Sequence, residues 1–266
     1  MSQLFFPVAA TMPQDFFGQM LFLFKEYYPL LLFGIKNTIL ISITGTILGF
    51  LGGLLLSSIR MMKDNRRSHI GVRIIRFFLR LLSGIYIEVI RGTPMMVQAM
   101  VFYYGGRYIG IRWSNPLIAG IFVVSLNTAA YMAEIIRSGI QAIDKGQFEG
   151  AYSLGMNELQ TMVFVILPQA IRNAMPAIGN EFVVNIKDSS VLNVISVVEL
   201  YFQTGSMAGT YGTFFPAFTI ASVLYLILTY TTTRILHVIE RRMNMPKGSY
   251  PRSQTVPHAI HFKKGE

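Results

Sequence analysis

Cysteine is absent from all 266 residues, which excludes disulfide frameworks and Cys-ligated zinc or iron–sulfur sites. Charge is scarce: Asp, Glu, Lys and Arg make up only 14% of the chain, against roughly 25% in soluble domains. A buried core alone does not strip a surface of charge so thoroughly, whereas a lipid-facing surface does. Acidic residues are the scarcer sign, 13 against 23 basic ones, and the net charge is +10. The basic residues cluster at a few places between apolar runs, as orientation signals in membrane loops do, so no nucleic-acid partner is expected. The four histidines lie in or beside polar segments and form no H-x-x-x-H helix face, so no metal site is expected. There is no G-x-x-x-x-G-K-[ST] phosphate loop, no G-x-S-x-G elbow and no H-E-x-x-H helix. No catalytic residues are therefore expected, and any energy source must come from a partner. The N-terminus lacks the pattern of a cleaved signal peptide, so the first span is expected to serve as the targeting signal.

Long apolar runs are what the chain does have. Residues 38–58 carry no charge over the ~20 residues a bilayer requires and form the first expected span. Gly45, Gly49 and Gly53 recur every fourth residue within it. They are either a smooth face for close helix contact or glycine filler of the kind membranes tolerate. Asp15–Leu31 reads as an amphipathic segment lying at the interface. Further spans are expected at about Phe77–Gly105, with Glu88, Arg91 and the breaker Pro94 inside it, and at Pro116–Ile136. A fourth apolar stretch, Asn173–Val198, is interrupted by Glu181 and by Lys187-Asp188-Ser189-Ser190, and Phe214–Thr233 is a clean fifth span.

The expected fold is thus an all-α membrane protein with five transmembrane helices. Clustered Arg and Lys in the 60–76 loop and the 234–264 tail place both in the cytoplasm, leaving the N-terminus outside and the C-terminus inside. The expected domains are residues 1–29 (extracytoplasmic or interfacial), 30–242 (transmembrane) and 243–266 (a flexible cytoplasmic tail). No internal repeat is visible, which weakens an inverted-repeat secondary transporter.

Three groups of residues stand out. The polar 139–168 segment carries Glu149, Gly150, Ala151, Leu154 and Gly155, followed by Leu167 and Pro168. It reads as a short helix with Glu149 at its start, favoured there by the helix dipole, and with Ala151 and Leu154 as apolar contacts. Gly155 is expected to end that helix in a left-handed conformation, and Pro168 to mark a turn into the next span. Such a helix suits the groove of a partner, or else is an ordinary loop helix. In the second span, Glu88 and Arg91 stand three apart and either pair with each other or face a cavity. Gly92, Thr93 and Pro94 break the helix there and free backbone groups for a solute. In the third span Asn127, Tyr131 and Glu134 share a face. In the fourth, Asn173, Asn180 and Lys187 form a seam beside Asp188 and Ser189. These residues either glue helices together or line the path of a solute carrying both signs of charge.

Glu149-Gly150-Ala151-Tyr152-Ser153-Leu154-Gly155, nine residues, then Val165-Ile166-Leu167-Pro168 resembles the E-A-A-x-x-x-G-x(9)-I-x-L-P loop of binding-protein-dependent ABC importer permeases. Gly150 replaces an alanine and Val165 an isoleucine, both keeping small or β-branched apolar character. Tyr86-Ile87-Glu88-Val89-Ile90-Arg91-Gly92-Thr93-Pro94, Ala130–Arg137 and Asn185-Ile186-Lys187-Asp188-Ser189-Ser190 are similar to the polar amino acid branch of that family. So is Gly34-Ile35-Lys36-Asn37-Thr38, and the likeness runs over about residues 34–242. The resemblance implies a multi-pass permease of the bacterial inner membrane, paired with a second permease subunit, identical or not. It implies cytoplasmic ABC ATPase subunits that hold ATP and Mg, and an extracytoplasmic amino-acid-binding protein, with no cofactor on this chain. The 149–168 loop is then the ATPase-coupling element. The expected solute path is Arg91, Thr93, Asn127, Tyr131, Glu134, Lys187, Asp188 and Ser189. The rival function is a secondary amino acid transporter driven by an ion gradient.

Overall fold

A computed structural model describes residues 12–62 and 69–242, all of whose regular elements are helical. The expectations for Lys63–Arg67 and for the tail beyond residue 242 fall outside the described residues.

Helix α1 runs from Phe16 to Arg60, 45 residues or about 67 Å at the standard rise, roughly twice a bilayer's hydrocarbon thickness. Asp15 starts it by accepting the Gly18 N–H at 2.7 Å. The helix continues through Pro29, so Asp15–Leu31 is one piece with the first span, not a separate segment. Leu23, Tyr27 and Leu31 are buried against Leu200, Met207, Ala217 and Ile220 of later helices, which accounts for the order of this stretch.

The expected second span is two helices, α2 (Ile70–Gly92) and α3 (Met95–Gly105). The break falls at Thr93, whose backbone is extended (φ −123°, ψ 145°), because the residue before a proline avoids the helical region. A 3-10 turn, Gly106–Ile109, leads to α4 (Pro116–Gln141). Asn115 caps α4 by accepting the Leu117 N–H at 2.9 Å, and Pro116 occupies the first turn, where its missing N–H costs nothing. Helix α5 (Lys145–Ser153) follows, then α6 (Glu158–Gln160), a π turn (Thr161–Ile166) and α7 (Leu167–Asp188). A 3-10 stretch (Ser189–Ile195) precedes α8 (Leu200–Tyr211) and α9 (Phe214–Arg242).

Among the described residues, four helical stretches are long and apolar enough to cross a membrane: Phe16–Arg60, Pro116–Gln141, Glu158–Ile195 and Phe214–Arg242. Helix α2 is not one of them, since its 23 residues carry Arg73, Arg76, Arg80, Glu88 and Arg91. The fourth stretch starts well before Asn173, so residues 158–168, expected as loop, are helical.

Helices α1 and α4 form the centre of the bundle, along the glycine face of α1. A methyl group on Gly49 would stand 2.5 Å from the Thr128 Cβ, and one on Gly45 2.5 Å from Val124 Cγ1. Gly53 meets the Met132 Cβ in the same way. These glycines are contact surface, since only a bare backbone admits α4 so closely.

Candidate functional site

Helix α5 is a nine-residue element held at both ends. Asp144 caps its start, accepting the Gly146 N–H at 2.7 Å. Gly155 ends it at φ +80°, the left-handed region that a side chain disfavours. There the Gly155 N–H donates to the Tyr152 carbonyl at 2.9 Å and the Met156 N–H to the Ala151 carbonyl at 3.2 Å. This paired pattern satisfies carbonyls that a helix end otherwise leaves open. Phe148 packs against a cluster containing Met132, Ile143 and Ile166, and Ala151 is only 4% exposed. Gln169 of α7 donates to the Gln147 side chain at 3.0 Å, tying α5 to the following long helix. Leu154 points away from all of this and is 83% exposed.

Three expectations for this loop need correction. Glu149 is the fifth residue of α5, not its first, so the carboxylate favoured by the helix dipole is that of Asp144. Ala151 is a contact within the chain and leaves Leu154 as the exposed apolar side chain of the pair. Pro168 marks no turn either, for it is the second residue of α7. The π turn ahead of it absorbs the break: the Leu167 N–H reaches back to the Met162 carbonyl, and the proline follows without ending the helix.

The polar face of α4 meets the α2–α3 break and the end of α1. The Asn127 amide donates to Gln98 Oε1 at 3.1 Å. Gln98 Nε2 in turn lies 2.7 Å from the Ile90 carbonyl and 2.9 Å from both the carbonyl and Oγ1 of Thr93. Thr93 Oγ1 also donates to the Val89 carbonyl at 2.8 Å. The carbonyls of Val89, Ile90 and Thr93 at the break are thus bonded inside the chain. Arg91 lies over the Tyr131 ring, 5.4 Å from its centroid, in place of a pair with Glu88. Glu134 is bound by two arginines, Arg60 from the last turn of α1 and Arg137, whose Nη2 stands at 2.6 Å.

Helix α7 divides into a bonded residue and an open face. Asn185 is buried and bonds Thr46 Oγ1 at 2.9 Å and Thr128 Oγ1 at 3.0 Å, joining α7 to α1 and α4. Ser189 is buried too, its hydroxyl donating to the Ile186 carbonyl at 2.9 Å. Asn180 and Lys187 are exposed, and Asn173 and Asp188 half-buried. Glu181 and Asp188, seven residues apart, lie on one face of the helix.

Residues 70–245 match a family described as the binding-protein-dependent transport system inner membrane component. This chain belongs to that family. It is a multi-pass protein of the inner membrane. It is 34% identical over 219 residues to the glutamine transport system permease protein GlnP of Escherichia coli (strain K12), covering 82% of this chain and 94% of that one. A crystal structure of an amino acid ABC transporter with histidines superposes with a TM-score of 0.73 at 36% identity, covering 87% of this chain and all of that one. An inward-facing conformation of the MetNI methionine ABC transporter shares the fold, with TM-score 0.67 at 21% identity over 80% of this chain. Within this permease fold, Glu149, Gly150, Ala151, Leu154 and Gly155 lie on or just after α5 and Leu167 and Pro168 at the start of α7, and Arg91, Thr93, Asn127, Tyr131 and Glu134 line one seam. Lys187, Asp188 and Ser189 stand apart at the end of α7. The bonds of Gln98 and the cap at Asp144 were not anticipated, although Asp144, just ahead of a helix, carries a readable cap signal. Asn185 stood in a motif read from the sequence, but its bonds to Thr46 and Thr128 were not foreseen.

Proposed function

We propose that the chain is the permease subunit of an ATP-driven importer. It passes a polar amino acid of the glutamine, arginine, lysine, histidine or cystine type from an extracytoplasmic binding protein across the membrane by alternating access. The observation that carries this reading is α5, a short helix capped at both ends and packed on its inner side, with Leu154 83% exposed on its outer side. Such a helix is built to be gripped by another protein. The gripping partner is a cytoplasmic ABC ATPase, which holds the ATP and Mg. A second permease subunit completes the pathway. Named relatives that move glutamine and other amino acids support the solute class.

The reading takes five spans, counting α2–α3 with the four apolar stretches. The basic residues at the start of α2 support an orientation with the end bearing α5 in the cytoplasm and the N-terminus outside. The transport domain then takes in about residues 30–242, with 1–29 outside and 243–266 as a cytoplasmic tail. The solute passes the open face of α7, where Lys187, Asp188 and Glu181 offer both signs of charge. Arg91, Thr93, Asn127, Tyr131 and Glu134 form the wall behind it, holding the α2–α3 break and the α1 end in place.

The test is uptake into vesicles carrying this chain with its ATPase and binding protein. Labelled glutamine and arginine are supplied with ATP inside, or with a proton or sodium gradient alone. Uptake is expected only with ATP and binding protein present. Uptake driven by the gradient alone establishes a secondary transporter and discards the importer.

A further inference from the structure

Between α5 and α7 stands the π turn, Thr161–Ile166, which ends where the Leu167 N–H reaches back five residues to the Met162 carbonyl. Such turns are rare and recur at functional sites. The first residue of this one is not fully satisfied, since the Thr161 hydroxyl is buried and has no hydrogen-bond partner among the described residues. A cavity of about 590 Å³ opens beside the turn, lined by its Met162 and Val163 together with Met61 and Ile136. The turn thus combines an unmet polar group with free space to shift into. One side chain ties it to both neighbours. Gln169 Nε2 donates to the Val165 carbonyl of the turn at 2.7 Å and to Gln147 Oε1 of α5 at 3.0 Å. An amide nitrogen carries two N–H groups, so both are engaged. Gln169 is half-buried and Gln147 exposed. Gln169 also heads the polar seam of α7, because Asn173, Asn180 and Lys187 follow it at helical spacing on the same face.

We propose that the π turn is the joint between α5 and α7, and that Gln169 is the positioning residue across it, a role that rests on the importer reading above. Phe148 of α5 packs against the apolar cluster that holds Ile166 of the turn and Ala170 of α7, which keeps the three elements in contact without fixing their angle. The amide of Gln169 supplies the directional bond that packing lacks. A displacement of α5 then passes through Gln147 and Gln169 to α7, while the turn yields beside the cavity. Rotation of α7 in turn re-aims the face that carries Asn180 and Lys187 toward the solute path.

The test uses the reconstituted complex of the full chain with its ATPase and binding protein, and reads labelled amino acid moved per ATP hydrolysed. Gln169→Leu keeps the approximate size of the side chain and removes both bonds. It is expected to lower that ratio by roughly fivefold, the scale of one neutral hydrogen bond, with ATPase affinity and melting temperature nearly unchanged. Gln147→Leu removes only the bond across the joint and is expected to lower the ratio as well, which decides the matter where Gln169→Leu lowers stability. Gln147→Lys combined with Gln169→Glu sets an ion pair in place of the lost bond and is expected to restore most of the ratio. A purely local role for either glutamine predicts no such rescue. A wild-type ratio in either leucine variant overturns the proposal, and so does a ratio that the charge pair fails to restore. Absence of ATP-driven uptake by the unaltered chain discards the importer reading and this role with it. Coupled uptake by the unaltered chain beside unaffected variants discards the role alone.

Discussion

Glu134 and Asp188 are both carboxylates within apolar helices, yet their surroundings assign them different work. Both oxygens of Glu134 are engaged, one by Arg60 and one by Arg137, so the residue ties the end of α1 to α4. Glu134→Gln leaves two arginines short of their counter-ion and is expected to cost roughly 1.5–3 kcal/mol, the scale of hydrogen bonds to charged groups. Asp188 is half-buried at the end of α7, with Lys187 beside it and Glu181 one face-repeat away. Asp188→Asn is expected to leave the melting temperature of the purified chain almost unchanged while raising the KM for uptake. Thermal melts and uptake kinetics on both variants check the pair of outcomes. A destabilised Asp188→Asn with normal uptake, beside a stable Glu134→Gln that fails to transport, reverses the assignment. The sequence marked both residues as costly in lipid, and that much was legible. What it could not tell was which one already had partners, because Arg60 lies 74 residues before Glu134.

At the scale of elements, legibility followed how local the cause was. Gly155 ends α5 as expected because a left-handed residue is a property of the chain at that point. The glycine face of α1 was visible as a four-residue spacing, although its partner helix was not. The start of helix α7 ahead of Asn173 escaped the reading because a proline in sequence looks like a stop, and the π turn that leads into Pro168 leaves no mark in composition. The α2–α3 break was foreseen at Gly92-Thr93-Pro94, but its repair by Gln98 was not, since one amide at no periodic spacing gives no signal. The α1–α4 contact makes a sharp prediction. Gly49→Ala puts a methyl group into Thr128, so α4 must move away and packing is lost along the seam. Gly84, inside α2, has nothing within 4 Å of such a methyl group, and Gly84→Ala is expected to be neutral or to stabilise by up to about 1 kcal/mol through helix propensity. Melting temperatures in detergent should fall for the first and hold or rise for the second. Equal behaviour of the two removes the close contact as a determinant of the bundle.

For the whole molecule, orientation and coupling belong to one question, whether α5 faces an ATPase in the cytoplasm. The chain has no cysteine, so single cysteines report topology cleanly. Tyr108 and Leu154, 93% and 83% exposed, lie beyond opposite ends of α4. Tyr108→Cys is expected to react with an impermeant thiol reagent in intact cells, and Leu154→Cys only after permeabilisation; the opposite pattern inverts the protein. Coupling is tested at the same helix. Leu154 touches little of its own chain, so Leu154→Ala should leave the melting temperature of the isolated permease unchanged. If a partner covers it fully, the loss is about 1.5–3 kcal/mol of burial, roughly a ten- to hundredfold weaker hold on the ATPase. Gly155 is separable from it in kind. Nothing stands within 4 Å of a methyl group at Gly155, so only its φ of +80° resists a side chain. Gly155→Val is expected to cost about 1–2 kcal/mol locally and to unseat the end of α5, whereas Gly155→Asn, which tolerates the left-handed region, should be spared. The readout is ATP hydrolysis by the reconstituted complex, with and without binding protein and amino acid. Gly155→Val should insert in the membrane normally yet lose stimulated hydrolysis, and Gly155→Asn should keep most of it. Full stimulation in Gly155→Val together with wild-type ATPase affinity in Leu154→Ala moves the coupling element away from α5 and leaves the importer without its mechanical link.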